Sequence, residues 1–215
     1  MDHDDFDQEP IRGLPRMLPE GERILWQGAP SAAALARDAL KWRWVAGYFA
    51  ILLLWSFVAG LATDSAAVAL GRASVYAAAG AVACGLLFAV AWAQARATVY
   101  TITNRRVVMR IGAALTMTLQ FPYRWIGAAD LQVAADGTGT IALRTLGETR
   151  FSYLMTWPHA RPWRFRKTQP ALRCIPDAAA VARLMAEAAA GETALTVTED
   201  APARAPVAPQ PVPAE

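Results

Sequence analysis

The sequence predicts a membrane α + β architecture: a two-helix transmembrane hairpin inserted into a small β-barrel or sandwich, completed by a C-terminal helix. Three observations predict it. Two uncharged apolar runs, residues 44–62 and 73–93, lie about ten residues apart. Alternating β-branched segments follow from Ala97 onward. A strand-like phrase, residues 21–31, comes before the apolar runs and is too isolated to be stable alone, so it has to join the later sheet.

Each apolar run has the length of a transmembrane helix, because about 20 residues span a hydrocarbon core of roughly 30 Å. Trp42, Trp44 and Tyr48 at one end and Trp92 at the other suit the interfacial positions that aromatic residues favour. A buried soluble hairpin would need a polar face, and neither run has one. Arg37, Lys41, Arg43, Arg96, Arg105, Arg106 and Arg110 flank the hairpin on its outer side, against Arg72 alone in the 63–72 loop. The positive-inside rule then places both termini in the cytoplasm. In the second run Ala73, Ala77, Ala81, Gly85, Ala89 and Ala93 recur every fourth residue, and such small-residue faces let helices approach closely in lipid. Ala77, Ala81, Gly85 and Ala89 are the candidate helix-packing residues.

Beyond the hairpin the period changes from helical to alternating. Segments 97–104, 106–112, 115–121, 125–134, 140–146 and 149–155 read as six strands of a meander, with Asp136-Gly137 as one hairpin turn and Gly147 as another. Pro176-Asp177 opens a helix whose stripe is Val181, Leu184, Met185 and Ala188, and Gly191 is its expected end. The expected division is an acidic flexible N-terminus (1–20), a first strand with an interfacial segment (21–43), the hairpin (44–95), a cytoplasmic domain (96–190) and a disordered Ala/Pro tail (191–215).

Composition agrees with a membrane protein. Hydrophobic residues make up 55% of the 215 and charged residues 18%, below the roughly 25% charge of soluble chains. That argues against an ordinary cytosolic enzyme and against pervasive disorder. The net charge of +3 conceals an acidic start and a basic span. From Arg96 to Arg173 twelve Lys or Arg face only Asp130, Asp136 and Glu148. Such a surface suits anionic lipid or the cytoplasmic side, and no nucleic-acid recognition motif accompanies it. The acidic start is the opposite of a signal peptide's basic region. Cys84 and Cys174 are expected to be free thiols.

Three phrases carry a resemblance: LPEGERILWQGAPS (18–31), VYTITNRRVVMRIG (99–112) and CIPDAAAVARLM (174–185). They resemble the bacterial pleckstrin-homology (PH) family found on membrane proteins. Tyr100, Ile102, Thr103, Asn104 and Arg106 match the family's sheet-opening phrase, and Ile175, Pro176 and Asp177 its closing helix. The resemblance implies a PH-like domain, a strongly bent sheet of seven strands with a helix plugging one end. Over about residues 8–190 the order of features is also similar to the PuhB-type photosynthetic complex assembly proteins of purple bacteria. That likeness implies a role in assembling the reaction centre, with its light-harvesting ring as a second client, in the bacterial inner (intracytoplasmic) membrane.

Candidate chemistry is sparse. His3 and His159 are the only histidines, and no spacing of His, Cys or acids offers the three or four ligands of a zinc site. There is no phosphate-binding glycine loop and no nucleophile elbow. No enzyme activity, metal or other cofactor is expected. The informative segment is 157–173, where Trp157, Trp163 and Phe165 interleave with Arg161, Arg164, Arg166, Lys167 and Arg173 without one acid. Arg forks bind phosphate and Trp prefers the headgroup level, so these eight residues form a candidate lipid or client surface. Alternatively, the aromatics pack on the sheet while the charges stay wet.

The leading expectation is therefore a non-enzymatic assembly factor. Its hairpin would contact reaction-centre and light-harvesting subunits, or a second copy of itself, and its domain would dock on client or anionic lipid. A lipid-sensing membrane protein without a photosynthetic role is the alternative, and an accessory subunit kept in the finished complex is a third.

Overall fold

The computed structural model describes residues 9–63, 65–147 and 151–199. Seven strands and five helices follow in the order β1 (Ile24–Gly28), α1 (Ala32–Asp38), α2 (Trp42–Leu61), α3 (Ala66–Ala97), β2 (Val99–Thr103), β3 (Arg106–Ile111), β4 (Met117–Pro122), β5 (Ile126–Val133), β6 (Gly139–Thr145), α4 (Tyr153–Thr156), β7 (Ala171–Ile175) and α5 (Ala178–Glu199). The strands form two antiparallel sheets, β1-β2-β3-β4 and β5-β6-β7. Seven strands are present among the described residues, divided between two hydrogen-bonded ladders.

One core joins the two sheets. Tyr100, Ile102, Val107, Met109 and Phe121 of the first sheet meet Ile141, Leu143, Leu172 and Ile175 of the second, and Val181 and Met185 of α5 close the cluster. Strand β1 pairs with β2 from Ile24↔Thr103 to Gly28↔Tyr100. The chain before the hairpin and the chain after it thus build the same sheet, as the isolation of the 21–31 phrase demands.

Helices α2 and α3 are both long and apolar enough to cross a membrane. At about 1.5 Å per residue, the 20 residues of α2 measure roughly 30 Å. Trp42, its first residue, stands against Phe88, with ring centroids 5.3 Å apart. The last nine residues of α3 therefore run past the start of α2 for roughly 13 Å. There Ala91 packs against Ala34, Leu35 and Ala36 of α1 and against Cys174. Thr98 then hands the chain straight into β2, so α3 is a stalk continuous with the sheet.

Four expectations need correction. The 63–72 loop is shorter, because Ala66 to Arg72, rich in helix-forming Ala and Leu, already belong to α3. The 149–155 strand is absent in its described part: Ser152 precedes a single helical turn, α4. Both edges of β6 are taken, by β5 and β7, so that segment has no edge of β6 to pair with. Strand β7 replaces it. Helix α5 passes Gly191 and continues to Glu199, since one glycine costs a helix only about 1 kcal/mol. Finally, residues 9–20 are held on the sheet: Leu14 is buried, and Glu9 Oε1 accepts from Arg110 Nε at 2.6 Å. A buried guanidinium needs that counter-charge. Residues 1–8 and 200–215, including most of the expected tail, lie outside the described residues.

Candidate functional site

The hairpin presents its apolar side chains outward. Trp44, Ile51 and Trp55 of α2 and Leu70, Val82 and Leu86 of α3 are exposed, Trp55 at 74%. Contact between the two helices rests on small residues, and of the fourfold strip Ala73 is buried. A Cβ on Gly60 would stand 2.9 Å from that of Ala69, and one on Gly80 would stand 2.8 Å from Phe49 Cβ. Ala77 and Ala81 border a shallow cleft with α2, while a Cβ on Gly85 would meet nothing within 4 Å, and Ala89 is exposed. Four residues advance a helix by 400°, so the strip turns 40° per step away from α2. Gly85 and Ala89 face outward from the hairpin.

The aromatic-basic segment divides in two. Trp163 (83%), Phe165 (59%), Arg164, Arg166 and Lys167 are exposed, as is Trp157 at 40%. Phe165 stacks edge-on with Tyr153 at 4.6 Å and with Trp163 at 6.1 Å. Leu154 and Met155 of α4 are exposed as well and extend the apolar part of this surface. Sequence reading assigned them to a strand and missed them. Arg161 and Arg173 differ from these: Arg161 is half-exposed but paired, and Arg173 is buried. Arg161 pairs with Asp130 and also donates to Gln169 Oε1 at 3.2 Å. Asp130 in turn sits below the usual carboxylate range, because Arg144 and Arg161 hydrogen-bond to it.

Arg173 is 5% exposed. Its Nη1 donates to Pro158 O at 3.1 Å and its Nη2 to Asp38 O at 3.4 Å, tying the loop to the end of α1. A second tie involves His159, which sequence analysis weighed only as a metal ligand. The Thr98 hydroxyl donates to Gln94 O at 2.7 Å, in the last turns of α3. His159 Nε2 lies 3.2 Å from Thr98 Oγ1, and Nδ1 lies 2.6 Å from Tyr100 Oη. With the threonine proton already used, the network assigns the imidazole proton to Nε2 and leaves Nδ1 to accept from the tyrosine. Burial and then the Arg173 charge lower the His159 pKa to about 3, and burial raises that of Tyr100. The histidine is a neutral strut between stalk and loop.

Further along the loop, Pro162 lines a cleft of about 230 Å³ together with Lys41, the residue before α2. The exposed Trp163–Lys167 stretch thus starts at the foot of α2. Trp92 and Arg96, the latter 5.5 Å from the Trp92 ring centroid, lie in the corresponding part of α3. Aromatic and basic side chains therefore gather where both helices leave the domain. Among the described residues, no three His, Cys, Asp or Glu side chains are grouped to hold a metal ion. The surface can bury aromatic rings and contact anions.

Comparison with known proteins adds two findings. A family model described as "Bacterial PH domain" matches residues 31–189. The chain is also similar to an "uncharacterized 23.7 kDa protein in puhA 5'region" of Rhodobacter capsulatus. The two are 49% identical over 190 residues, 87% of this chain and 88% of that protein. No solved structure matches it.

Proposed function

This chain belongs to the bacterial PH domain family, and from that premise we propose that it is a membrane-anchored, non-enzymatic assembly factor for the photosynthetic reaction centre. The observation that carries the proposal is the 49% identity, over nearly the full length, to a protein encoded beside the reaction-centre gene puhA. The two apolar helices support the anchoring, since side chains such as Trp55 and Leu86 lie exposed on them. In this reading the hairpin spans the bacterial inner membrane with both termini cytoplasmic. The outward face of α3 meets client helices of the reaction centre and its light-harvesting ring, and the Trp163–Lys167 loop rests on anionic headgroups.

Deleting the gene tests the role. Cells without it should lose near-infrared absorption of assembled complexes, restored by the gene in trans, while pigment synthesis continues. The protein should be substoichiometric or absent in purified mature complexes. A stoichiometric presence would instead make it an accessory subunit. Normal absorption in the deletion strain would leave the second reading, a lipid-sensing membrane protein without a photosynthetic role, which the exposed aromatic-basic loop favours.

A further inference from the structure

Arg173 is a buried cation without a carboxylate. Other arginines of the domain have one: Arg37 pairs with Asp38 and Asp136, Arg106 with Glu22, Arg110 with Glu9, and Arg144 and Arg161 with Asp130. Arg173 forms no salt bridge among the described residues. Its two bonded nitrogens meet backbone carbonyls, and its Nε is buried with no hydrogen-bond partner. A charge held this way is costly unless an anion stands near it.

The arginine lines the cleft of about 230 Å³ at the foot of α2, several times the ~30 Å³ share of one water. Across that cleft is Lys41, exposed and also without an ion-pair partner among the described residues. Lys41 is the N-cap of α2 in the left-handed region (φ 56°), and its side chain makes no capping bond. The positive end of a 20-residue helix thus begins at the same cleft. Asp38 is the carboxylate on its wall, and Arg37 already holds both of its oxygens, at 3.0 and 2.9 Å. Arg37, Lys41 and Arg173 set against Asp38 and Asp136 leave one net positive charge.

We propose that this cleft holds the phosphodiester of an anionic phospholipid headgroup. One negative charge matches the one left uncompensated, and the N-cap of α2 stands at headgroup depth. Lys41 and the α2 N-terminus contact the phosphate, and Arg173 supplies charge from the wall. The inference rests on the membrane reading above and adds a defined lipid site to it, separate from the exposed loop.

The test uses the full chain, delipidated in neutral detergent, and follows its melting temperature during titration with phosphatidylglycerol, phosphatidylcholine or inorganic phosphate. Phosphatidylglycerol should raise the melting temperature more than the zwitterionic lipid. Lys41→Asn keeps a residue suited to positive φ and should shift half-saturation about fivefold upward. An unchanged titration in that variant overturns the site. An equal effect of millimolar inorganic phosphate overturns the lipid assignment in favour of a soluble anion. Carbonate extraction of wild-type membranes separates the two readings: extractable protein defeats the membrane anchor, whereas resistant protein with no phosphatidylglycerol effect defeats only the cleft.

Discussion

Glu22 and Arg106 close a bidentate ion pair across the whole hairpin, with Nε 2.8 Å from Oε1 and Nη2 2.9 Å from Oε2. Thr103 Oγ1 stands 2.8 Å from the same Oε1 and accepts from the Arg105 and Arg106 amides. Asn104 Oδ1 accepts from Arg23 N, and its Nδ2 donates to Gly21 O. The phrases around Glu22 and Thr103 are therefore two halves of one contact. It holds the chain entering the hairpin to the chain leaving it.

The pair is asymmetric, which yields a prediction. The Glu22 side chain is 2% exposed and that of Arg106 is 26% exposed. Arg106→Met strands a buried carboxylate and should cost about 3 kcal/mol. Glu22→Gln leaves a cation that can turn to water and should cost only about 1–2 kcal/mol. Denaturant unfolding of the full chain in detergent checks this, and the double variant should recover much of the larger loss. Equal single costs would mean that the asymmetric burial does not matter.

His159 makes folding sensitive to acid. Its pKa is about 3 in the fold, against about 6.5 in the unfolded chain. Between those values the unfolded state binds the proton and the folded state does not, so stability falls as pH falls. The slope reaches about 1.4 kcal/mol per pH unit. Above pH 6.5 both states are neutral at this group and the effect vanishes. His159→Gln should flatten the pH dependence of unfolding between pH 6 and 4; a wild-type slope in the variant would assign the effect to other groups.

Sequence pattern reached the hairpin, β1 to β6 and the start of α5 because each has a period or a punctuation mark of its own. It failed where the decision was tertiary. Segment 149–155 reads as a strand after the Gly147 turn, but so short a pattern cannot show that β6 already has two neighbours. Strand β7 was hidden by the basic composition around it, although Ala171, Leu172, Cys174 and Ile175 between two prolines form a strand signal. Charge counting also treated all arginines of 157–173 alike, whereas burial separates Arg173 and pairing separates Arg161 from the rest. The five exposed residues Trp163 to Lys167 were legible as a surface, and the His159 strut was not.

The proposed contact of the loop with lipid has to be measured on the full chain, because a fragment starting at residue 96 lacks β1 and Glu22. In nanodiscs, a fluorophore at position 163 should be quenched by lipid-borne quenchers more strongly in anionic than in zwitterionic bilayers. Replacing Arg164, Arg166 and Lys167 by Gln removes about 1 kcal/mol each and should abolish that difference. Equal quenching in both bilayers would detach the loop from the membrane.

Cys174 is a poor reporter of topology. It is 2% exposed, and burial pushes its thiol up to about 11. It should stay unlabelled by impermeant thiol reagents in intact and in permeabilised cells, and react only after unfolding. Arg166→Cys places a thiol on the exposed loop and should be labelled only after permeabilisation. Labelling of that variant in intact cells would reverse the orientation.

The glycines of α3 separate packing inside the hairpin from contact with a client. Gly80 faces Phe49 with no room for a side chain, so Gly80→Leu should force the helices apart and lower the amount of protein in the membrane. Gly85 is a turn and a half further along and looks outward, with nothing within 4 Å of an added Cβ. Gly85→Leu should therefore leave the protein level intact, and leucine even favours the bilayer. Close helix packing in lipid depends on small residues because the tails themselves are as apolar as leucine. A client helix seated on Ala81, Gly85 and Ala89 would be displaced by the new side chain, and near-infrared absorption of assembled complexes should fall at normal protein level. Normal protein with normal absorption would show that no client uses this face, and loss of protein from Gly85→Leu would contradict the open environment of Gly85 itself.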